Sequence, residues 1–97
     1  CKPPGKTVSV TTPGMSFLPD FVSIQTGDKV LFKLGGNHNA IEVSEATWDK
    51  GGNTPLDNGF KVDYGEEKEI TFAKPGTYYY VCQPHAEFGM KGMVIVE

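Results

Sequence analysis

Residues 80–90 have the sequence Tyr-Val-Cys-Gln-Pro-His-Ala-Glu-Phe-Gly-Met. The segment opens as a strand-like run and then carries a thiol at Cys82, an imidazole at His85 and a thioether at Met90. The only other histidine, His38, lies far upstream. These four side chains form a complete set of soft and borderline ligands for one copper ion.

The order of these residues explains how three ligands can meet. Cys82 at the end of a strand fixes its sulfur at the rim of a sheet, where the next residues must turn. Pro84 restricts φ to about −65°, and Gly89 is free to adopt a positive φ, so His85 and Met90 can both turn back toward the sulfur. His38 comes from another loop, which only the folded chain can bring to the same place.

The ligand types select the metal. Two imidazoles and one thiolate with a weak methionine ligand are the blue-copper electron-transfer pattern. A structural zinc site would contain more cysteine, and a catalytic zinc site would not take a thioether as its last ligand. The sequence therefore predicts one copper ion, bound by His38, Cys82, His85 and Met90.

A chain of 97 residues supports one hydrophobic core. We expect a flexible tether over residues 1–6 and a single domain over residues 7–97. Apolar stretches stay well short of the roughly 18 residues that a membrane span needs, so no transmembrane segment is expected. The net charge is −3 and arginine is absent, which argues against nucleic acid as a partner because phosphate recognition depends on guanidinium groups and basic stripes.

The second cysteine, Cys1, has two interpretations that the sequence leaves open. A disulfide to Cys82 is disfavoured, because it would consume the thiolate that gives the other ligands their meaning. Cys1 is either the lipid-bearing first residue of a mature bacterial lipoprotein, and so a candidate lipid anchor, or only the point at which the polypeptide was cut.

Short alternating segments separated by Gly, Pro, Asn and Asp predict an all-β fold. We expect a two-sheet antiparallel Greek-key β-sandwich with seven or eight strands. The clearest strands are predicted over residues 7–12, 21–25, 28–34, 39–43, 68–72, 77–82 and 92–97. In the last of these, alternation with Ile95 predicts that Met93 is a core residue rather than a competing ligand.

Residues 44–64 do not fit the strand pattern. The stretch from Ser44 to Tyr64 is rich in Gly, Asn, Asp and Pro and predicts an irregular excursion along one edge, with at most one helical turn near Glu45 to Trp48. We expect Trp48 to fold back over the core, the alternative being an exposed contact residue.

The motif Cys-x-x-His-x-x-x-x-Met, with Pro before the His, stands between Gly-x-Tyr-x-Tyr and Gly-x-Val-x-Val. It resembles the plastocyanin and pseudoazurin branch of the cupredoxins, the type 1 blue copper proteins. Residues 17–21 (Phe-Leu-Pro-Asp-Phe), residues 27–32 (Gly-Asp-Lys-Val-Leu-Phe) and His38-Asn39 resemble plastocyanin segments in order and spacing.

The resemblance implies roles for individual residues. His38, Cys82 and His85 would be equatorial copper ligands and Met90 the axial one. Asn39 would tie the two ligand loops together and donate its backbone N–H to the Cys82 sulfur. Pro84 has no N–H to offer that sulfur, which should leave more charge for copper. A docking face would surround His85, formed by Met15, Gly36, Ala86 and Phe88.

The implied function is that of a monomeric, non-enzymatic carrier of single electrons. Its partners would be cytochromes or copper enzymes that bind weakly and transiently. The location would be extracytoplasmic: periplasm or cell surface, preferred if Cys1 is lipidated, or the thylakoid lumen. Val81 stands where plant plastocyanins have a tyrosine before the ligand cysteine, so a photosynthetic partner does not follow.

Two other functions compete with this one. Copper enzymes of this fold need a second copper centre or an open coordination position with further histidines, and both histidines are already used. A copper-binding or delivery protein of the cell envelope is the stronger alternative, although such proteins favour exposed, exchangeable ligands and have no need of a rigid thiolate site.

Overall fold

A computed structural model describes residues 7–14 and 16–97, and only the backbone at residues 87 and 88. Within this part the chain forms eight strands, one short α-helix and one 3-10 helix. The strands are β1 (Thr7–Thr11), β2 (Phe21–Ile24), β3 (Lys29–Lys33), β4 (Ala40–Val43), β5 (Lys61–Val62), β6 (Glu67–Thr71), β7 (Gly76–Val81) and β8 (Lys91–Val96). Helix α1 spans Glu45–Asp49, and the 3-10 helix spans Gln83–Phe88.

The strands form two sheets, in the order β1-β3-β6 and β2-β8-β7-β4-β5. The predicted sandwich with eight strands is confirmed, but its strands are not all antiparallel: β1 pairs with β3, and β2 pairs with β8, in parallel. These pairings are the ones expected if each strand runs opposite to the one before it, whether the two lie in the same sheet, as β4 and β5 do, or in different sheets. Two odd-numbered or two even-numbered strands that become neighbours must therefore run the same way.

Alternation along each strand sends one set of side chains into the space between the sheets. Val22 and Ile24 of β2 and Val30 and Phe32 of β3 are all buried there. At the centre lies Tyr80, whose ring makes edge contacts with Phe17 and Phe32 at centroid distances of 4.8 and 5.2 Å. The central layer is therefore aromatic.

The prediction for Met93 is wrong. In β8 the residues that face the core are Gly92, Val94 and Val96, whereas Met93 and Ile95 are only half-buried on the outer face of the five-stranded sheet. Met93 and Ile95 do share one face of β8, as predicted. That face is the outer one, because Gly92 lies directly opposite Tyr80 and turns the glycine and the two valines toward the core. A Cβ at position 92 would overlap the Tyr80 ring, so only glycine fits beneath it.

Residues 44–64 contain more structure than the sequence predicted. The expected helical turn is α1, capped by Ser44, whose Oγ accepts from the Thr47 N–H at 3.2 Å. The excursion also contributes β5 at the edge of the larger sheet, where Val62 is fully buried. The sequence did not indicate this strand, because it is only two residues long and lies in a polar stretch.

Helix α1 covers the outer face of the larger sheet. There Ile41, Val43, Val81 and Ala86 form a second buried cluster, against which Trp48 packs. Trp48 thus does fold back over apolar side chains, as expected, but over this outer cluster rather than between the sheets. No helix in the described part of the chain is both long enough and apolar enough to cross a membrane.

Candidate metal centre

Cys82 follows directly on β7 and begins the turn that carries the other local ligands. The turn is closed at both ends by backbone hydrogen bonds, from the Cys82 N–H to the Met90 carbonyl at 3.0 Å and from the Met90 N–H to the His85 carbonyl at 3.3 Å. Gly89 ends the 3-10 helix with φ +86°, a left-handed conformation that glycine adopts without steric cost. The residue types predicted as corners therefore occupy corners.

His38 is held in a tight loop that leads into β4. Its N–H donates to the Gly35 carbonyl at 3.0 Å, and the Gly65 N–H donates to the same carbonyl at 3.1 Å. A Cβ at Gly35 would lie 3.3 Å from His38 Cδ2. The loop backbone therefore packs directly against the imidazole and restricts its position.

The fold brings His38, Cys82 and His85 together at one end of the sandwich. Their candidate ligand atoms all lie within 4.8 Å of one another. The Cys82 sulfur is 3.7 Å from Nδ1 of His38 and 3.5 Å from Nδ1 of His85. Both histidines thus present the same ring nitrogen to the sulfur.

These separations fit a shared metal ion. Bonds of about 2.3 Å to thiolate sulfur and about 2.05 Å to imidazole nitrogen place the two ligand atoms roughly 3.6–3.8 Å apart, for angles between tetrahedral and trigonal. The observed 3.5 and 3.7 Å are close to that range. The three side chains are therefore arranged as ligands of one metal ion would be.

Met90 lies at the far end of the same turn. Its side chain is fully buried and belongs to the same core cluster as Cys82. Cys82 is also fully buried, His38 is 8% exposed and His85 is half-buried. Of the four predicted ligands, His85 is the one through which the site reaches the surface.

The surroundings of the sulfur favour a thiol over a free thiolate. Burial raises the pKa of the Cys82 thiol above its ordinary value, and the backbone N–H groups of Asn39 and His85, which donate to the sulfur, offset part of that rise. A thiolate here therefore needs a positive charge close by, which a bound cation would supply. Pro84, as expected, contributes no donor.

Asn39 connects the two ligand loops through its side chain. Its Oδ1 accepts from the Gln83 backbone N–H at 2.8 Å, and its Nδ2 donates to Gln83 Oε1 at 3.0 Å. Asn39 is 1% exposed. Asn39, which follows His38, is thus bonded to Gln83, which follows Cys82. These bonds fix the distance between the two ligand loops.

Gln83 is a residue of the site that the sequence analysis missed. Besides its bonds to Asn39, it exchanges two bonds with Asn53: Asn53 Nδ2 donates to the Gln83 carbonyl at 3.1 Å, and Gln83 Nε2 donates to the Asn53 carbonyl at 3.3 Å. The available signal was its position between Cys82 and Pro84 together with a side chain that can both donate and accept.

The predicted docking residues differ in how exposed they are. Gly36 is exposed in the loop before His38. Ala86 is only 2% exposed and belongs to the outer cluster, so the expectation that it would line a docking face is wrong; the 3-10 helix turns it inward. Met15, the side chain of Phe88, and residues 1–6 with Cys1 lie outside the described part.

Comparison with known proteins gives a consistent result. A profile of copper binding proteins, plastocyanin/azurin family, matches residues 5–97. A chloroplastic plastocyanin of Silene latifolia subsp. alba is 35% identical over 89 residues, covering 86% of this chain and 53% of that protein. Plastocyanin A/B of Petroselinum crispum is 33% identical over 86 residues, covering 86% and 89%. The chain thus spans about half the length of the first relative and most of the second.

Solved structures support the same fold. The pseudoazurin of Methylobacterium extorquens superimposes with a TM-score of 0.73 and 30% sequence identity, covering 94% of this chain and 75% of that one. Amicyanin from Paracoccus versutus superimposes with a TM-score of 0.64 and 29% identity, covering 97% and 84%.

Proposed function

The chain belongs to the plastocyanin/azurin family of copper-binding proteins, and from that premise we propose that it carries single electrons between redox proteins. The observation that supports this most strongly is the convergence of the ligand atoms of His38, Cys82 and His85 within 4.8 Å. When bound, one type 1 copper ion supplies the couple between its cupric and cuprous states. The chain's contribution is to hold its ligands still.

In this proposal His38, Cys82 and His85 are the principal ligands, and Met90 is the weak fourth. Thiolate and imidazole with a thioether make up the blue-copper donor set. Asn39 acts on the site in two ways, since its side chain ties the loops together and its backbone N–H donates to the sulfur. Both kinds of contact limit how far the ligands can move.

Rigidity matters because a site that changes shape with each electron would transfer it slowly. His38 and Cys82 are buried; His38 lies in the loop that leads into β4, and Cys82 directly follows β7, which is hydrogen-bonded to β4. The core beneath them is filled by rings, with Tyr80 packed between Phe17 and Phe32. Close-packed interiors resist displacement, so the protein is suited to keeping one ligand geometry in both oxidation states.

We expect electrons to leave and enter beside His85. It is half-buried, whereas the other three ligands are buried, and exposed Pro84 lies next to it in the chain. Gly36 is exposed in the loop that precedes His38. A small contact of this kind suits partners that must bind weakly and separate quickly, and cytochromes or copper enzymes are the proposed partners of the monomer.

Electron transfer and copper delivery make different experimental predictions. An electron carrier loaded with cupric ion should show the intense blue thiolate-to-copper absorption and reversible voltammetry, and should keep its metal in the presence of a chelator. A delivery protein should instead be colourless with cuprous ion and should surrender it readily. The buried ligands favour the first outcome, and the second would overturn the proposal.

The proposal includes an extracytoplasmic location, in the periplasm or at the cell surface. Fractionation of the source cells, with the blue absorption as the marker, tests it. Recovery of the protein in the envelope fraction is expected, and recovery only with cytoplasmic enzymes would contradict it.

A further inference from the structure

Residues 45–53, here called the brace, run along the outside of the ligand turn of residues 83–90. The brace consists of helix α1 and the residues that follow it. It is hydrogen-bonded to the start of the turn and to the two residues that follow its far end, and it passes close to the middle. We propose that the brace positions the ligand turn, and through it Cys82, His85 and Met90. This inference rests on the proposed copper-binding function but concerns residues to which that function assigns no role.

The start of the turn is held by Asn53. The side-chain amide of Asn53 donates to the Gln83 carbonyl at 3.1 Å, and the Gln83 side-chain amide donates to the Asn53 carbonyl at 3.3 Å. The other side of Gln83 bonds to Asn39. The residue next to Cys82 is therefore clamped between the loop that carries His38 and the brace.

The far end is held by Trp48. Its indole Nε1 donates to the Gly92 carbonyl at 2.9 Å, and Lys91 Nζ donates to the Trp48 carbonyl at 2.9 Å. The same ammonium lies 4.1 Å from the centroid of the indole ring, within the range of a cation–π interaction. Lys91 and Gly92 directly follow Met90, so these contacts fix the chain where it leaves the site.

The middle of the turn is approached at Gly51. A Cβ there would lie 3.7 Å from the Ala86 carbonyl oxygen, and Gly51 has φ +72°. The brace is itself stiffened by bonds from the Lys50 N–H to the Ala46 carbonyl and from the Gly52 N–H to the Thr47 carbonyl. A hydrogen-bonded segment thus follows the turn along its length.

The turn benefits from such support because of the kind of helix it is. It is a short 3-10 helix, which has poorer hydrogen-bond geometry than an α-helix, and it ends in a left-handed glycine. Local opening of a segment of this kind costs little free energy unless other elements hold it. The contacts of the brace hold the chain at the start of the turn and just beyond its far end.

The test uses two variants that remove one brace contact each. Asn53→Ala deletes the side-chain donor to Gln83 at an exposed position. Trp48→Phe keeps an aromatic ring but deletes the indole N–H. Thr54→Ala is the matched control, because Thr54 is exposed next to Asn53 and outside the brace.

The first measurement is amide hydrogen exchange in the metal-free protein, which does not depend on copper. Losing one hydrogen bond should speed exchange at Cys82, Gly89 and Met90 about five- to tenfold in both variants. Amides of the paired strands β1 and β3 should keep their wild-type rates, and Thr54→Ala should leave every rate unchanged. Unchanged exchange in the turn, or an equal rise in β1 and β3, would overturn the proposal.

The second measurement is made on the cupric protein. Both variants should shift the thiolate-to-copper absorption and release copper to a chelator several-fold faster than wild type, whereas the control should do neither. Wild-type spectra and release rates in both variants would refute the positioning role. A wild-type protein without the blue band would instead refute the proposed function, and the exchange rates would still decide whether the brace holds the turn.

Discussion

Pro84 sets how many hydrogen bonds the Cys82 sulfur receives. The donors at the sulfur are the backbone N–H groups of Asn39 and His85, and the residue between Gln83 and His85 has none to give. Pro84→Ala should add a donor, stabilise the thiolate against donating charge to copper, and raise the reduction potential. A hydrogen bond to a charged group is worth about 1.5 kcal/mol or more, so a rise of roughly 60 mV or more is expected for a one-electron couple.

Voltammetry of the copper-loaded protein measures this shift. Pro75→Ala is the matched control, since Pro75 is exposed in the turn between β6 and β7. A potential that stays constant or falls in Pro84→Ala would show that the missing N–H does not tune the site.

Tyr80 carries its hydroxyl group in the core. Its side chain is fully buried, and the hydroxyl has no hydrogen-bond partner in the described part of the chain. Burial, and after it the charge of Asp20, raises the pKa of Tyr80 far above its ordinary value, so the hydroxyl stays neutral. Tyr80→Phe should therefore raise the free energy of unfolding by up to about 1 kcal/mol, since it removes an unsatisfied polar atom and keeps the ring.

Tyr78 provides the opposite case. Its hydroxyl donates to the Lys74 carbonyl at 2.8 Å, so Tyr78→Phe should lower the free energy of unfolding by about 0.5–1.5 kcal/mol. Urea denaturation measures both. A loss of stability in Tyr80→Phe as large as that in Tyr78→Phe would mean that the buried hydroxyl has a partner after all.

At the scale of elements, β4 is joined to the segment of residues 56–60 through Glu42. The Glu42 N–H donates to the Phe60 carbonyl at 2.9 Å, its carbonyl accepts from Leu56 at 2.8 Å, and its side-chain Oε1 accepts from the Phe60 N–H at 3.2 Å. Burial raises the pKa of the Glu42 carboxyl, and the bond from Phe60 offsets part of that rise. The folded state thus favours the neutral form of the Glu42 carboxyl more than the unfolded state does.

The sign of the resulting pH dependence follows from linkage. The pKa of Glu42 is higher in the folded than in the unfolded protein. The contribution of Glu42 to the free energy of unfolding is therefore fully present below the ordinary pKa of 4.5 and is lost as pH rises through the pKa of the folded protein. Glu42→Gln keeps a neutral acceptor for Phe60 and should remove this loss, so wild type should fall behind the variant between pH 4.5 and neutrality. Denaturation across that range measures it, with exposed Glu67→Gln as the control; parallel curves for wild type and Glu42→Gln would contradict the prediction.

The elements also show what the sequence could predict and what it could not. Strands of five or six residues, such as β3 and β7, can be predicted from the alternation of their residues and from the turns that flank them. Two-residue β5 is too short to alternate, and the parallel pairing of β2 with β8 depends on which sheet each strand joins, a nonlocal choice. Which face of β8 is the inner one was decided by the Tyr80 ring over Gly92, a contact between strands that neither strand reveals alone.

At the scale of the whole molecule, the site joins parts of the chain that are far apart in sequence, so metal should stabilise the fold. His38 lies in the loop before β4, and the other ligands lie between β7 and β8. With free metal a thousandfold above its dissociation constant, linkage predicts about 4 kcal/mol of added stability. For a domain of this size that raises the melting temperature by more than about 15 °C.

Calorimetry with and without copper measures this difference, and Cys82→Ser is the control because it removes the thiolate while nearly conserving shape. The copper-dependent rise should shrink strongly in Cys82→Ser. An equal rise in both proteins would place the stabilising metal elsewhere.

The candidate ligands were predictable because copper demands particular side chains, and His38 could be assigned since the chain has one other histidine. The brace could not be predicted, because Trp48 and Asn53 lie in a stretch without periodicity and their partners, Gly92 and Gln83, are distant in sequence. Ala86 was misassigned for a similar reason. Its burial comes from helix α1, which covers the outer face of the sheet, and no pattern within residues 83–90 indicates that cover.

The place of β8 between β2 and β7 has a consequence for the order of folding. In the described part of the chain β2 has β8 as its neighbour in the sheet, so β2 stays unpaired until residues 91–96 are in place. The segment that bears Cys82, His85 and Met90 connects β7 to β8, so its far end is not fixed before those two strands pair. Metal binding in a defined geometry should therefore follow the pairing of β8 with β2 and β7. Until β8 has paired, the Cys82 thiol is open to oxidants and to the wrong ions.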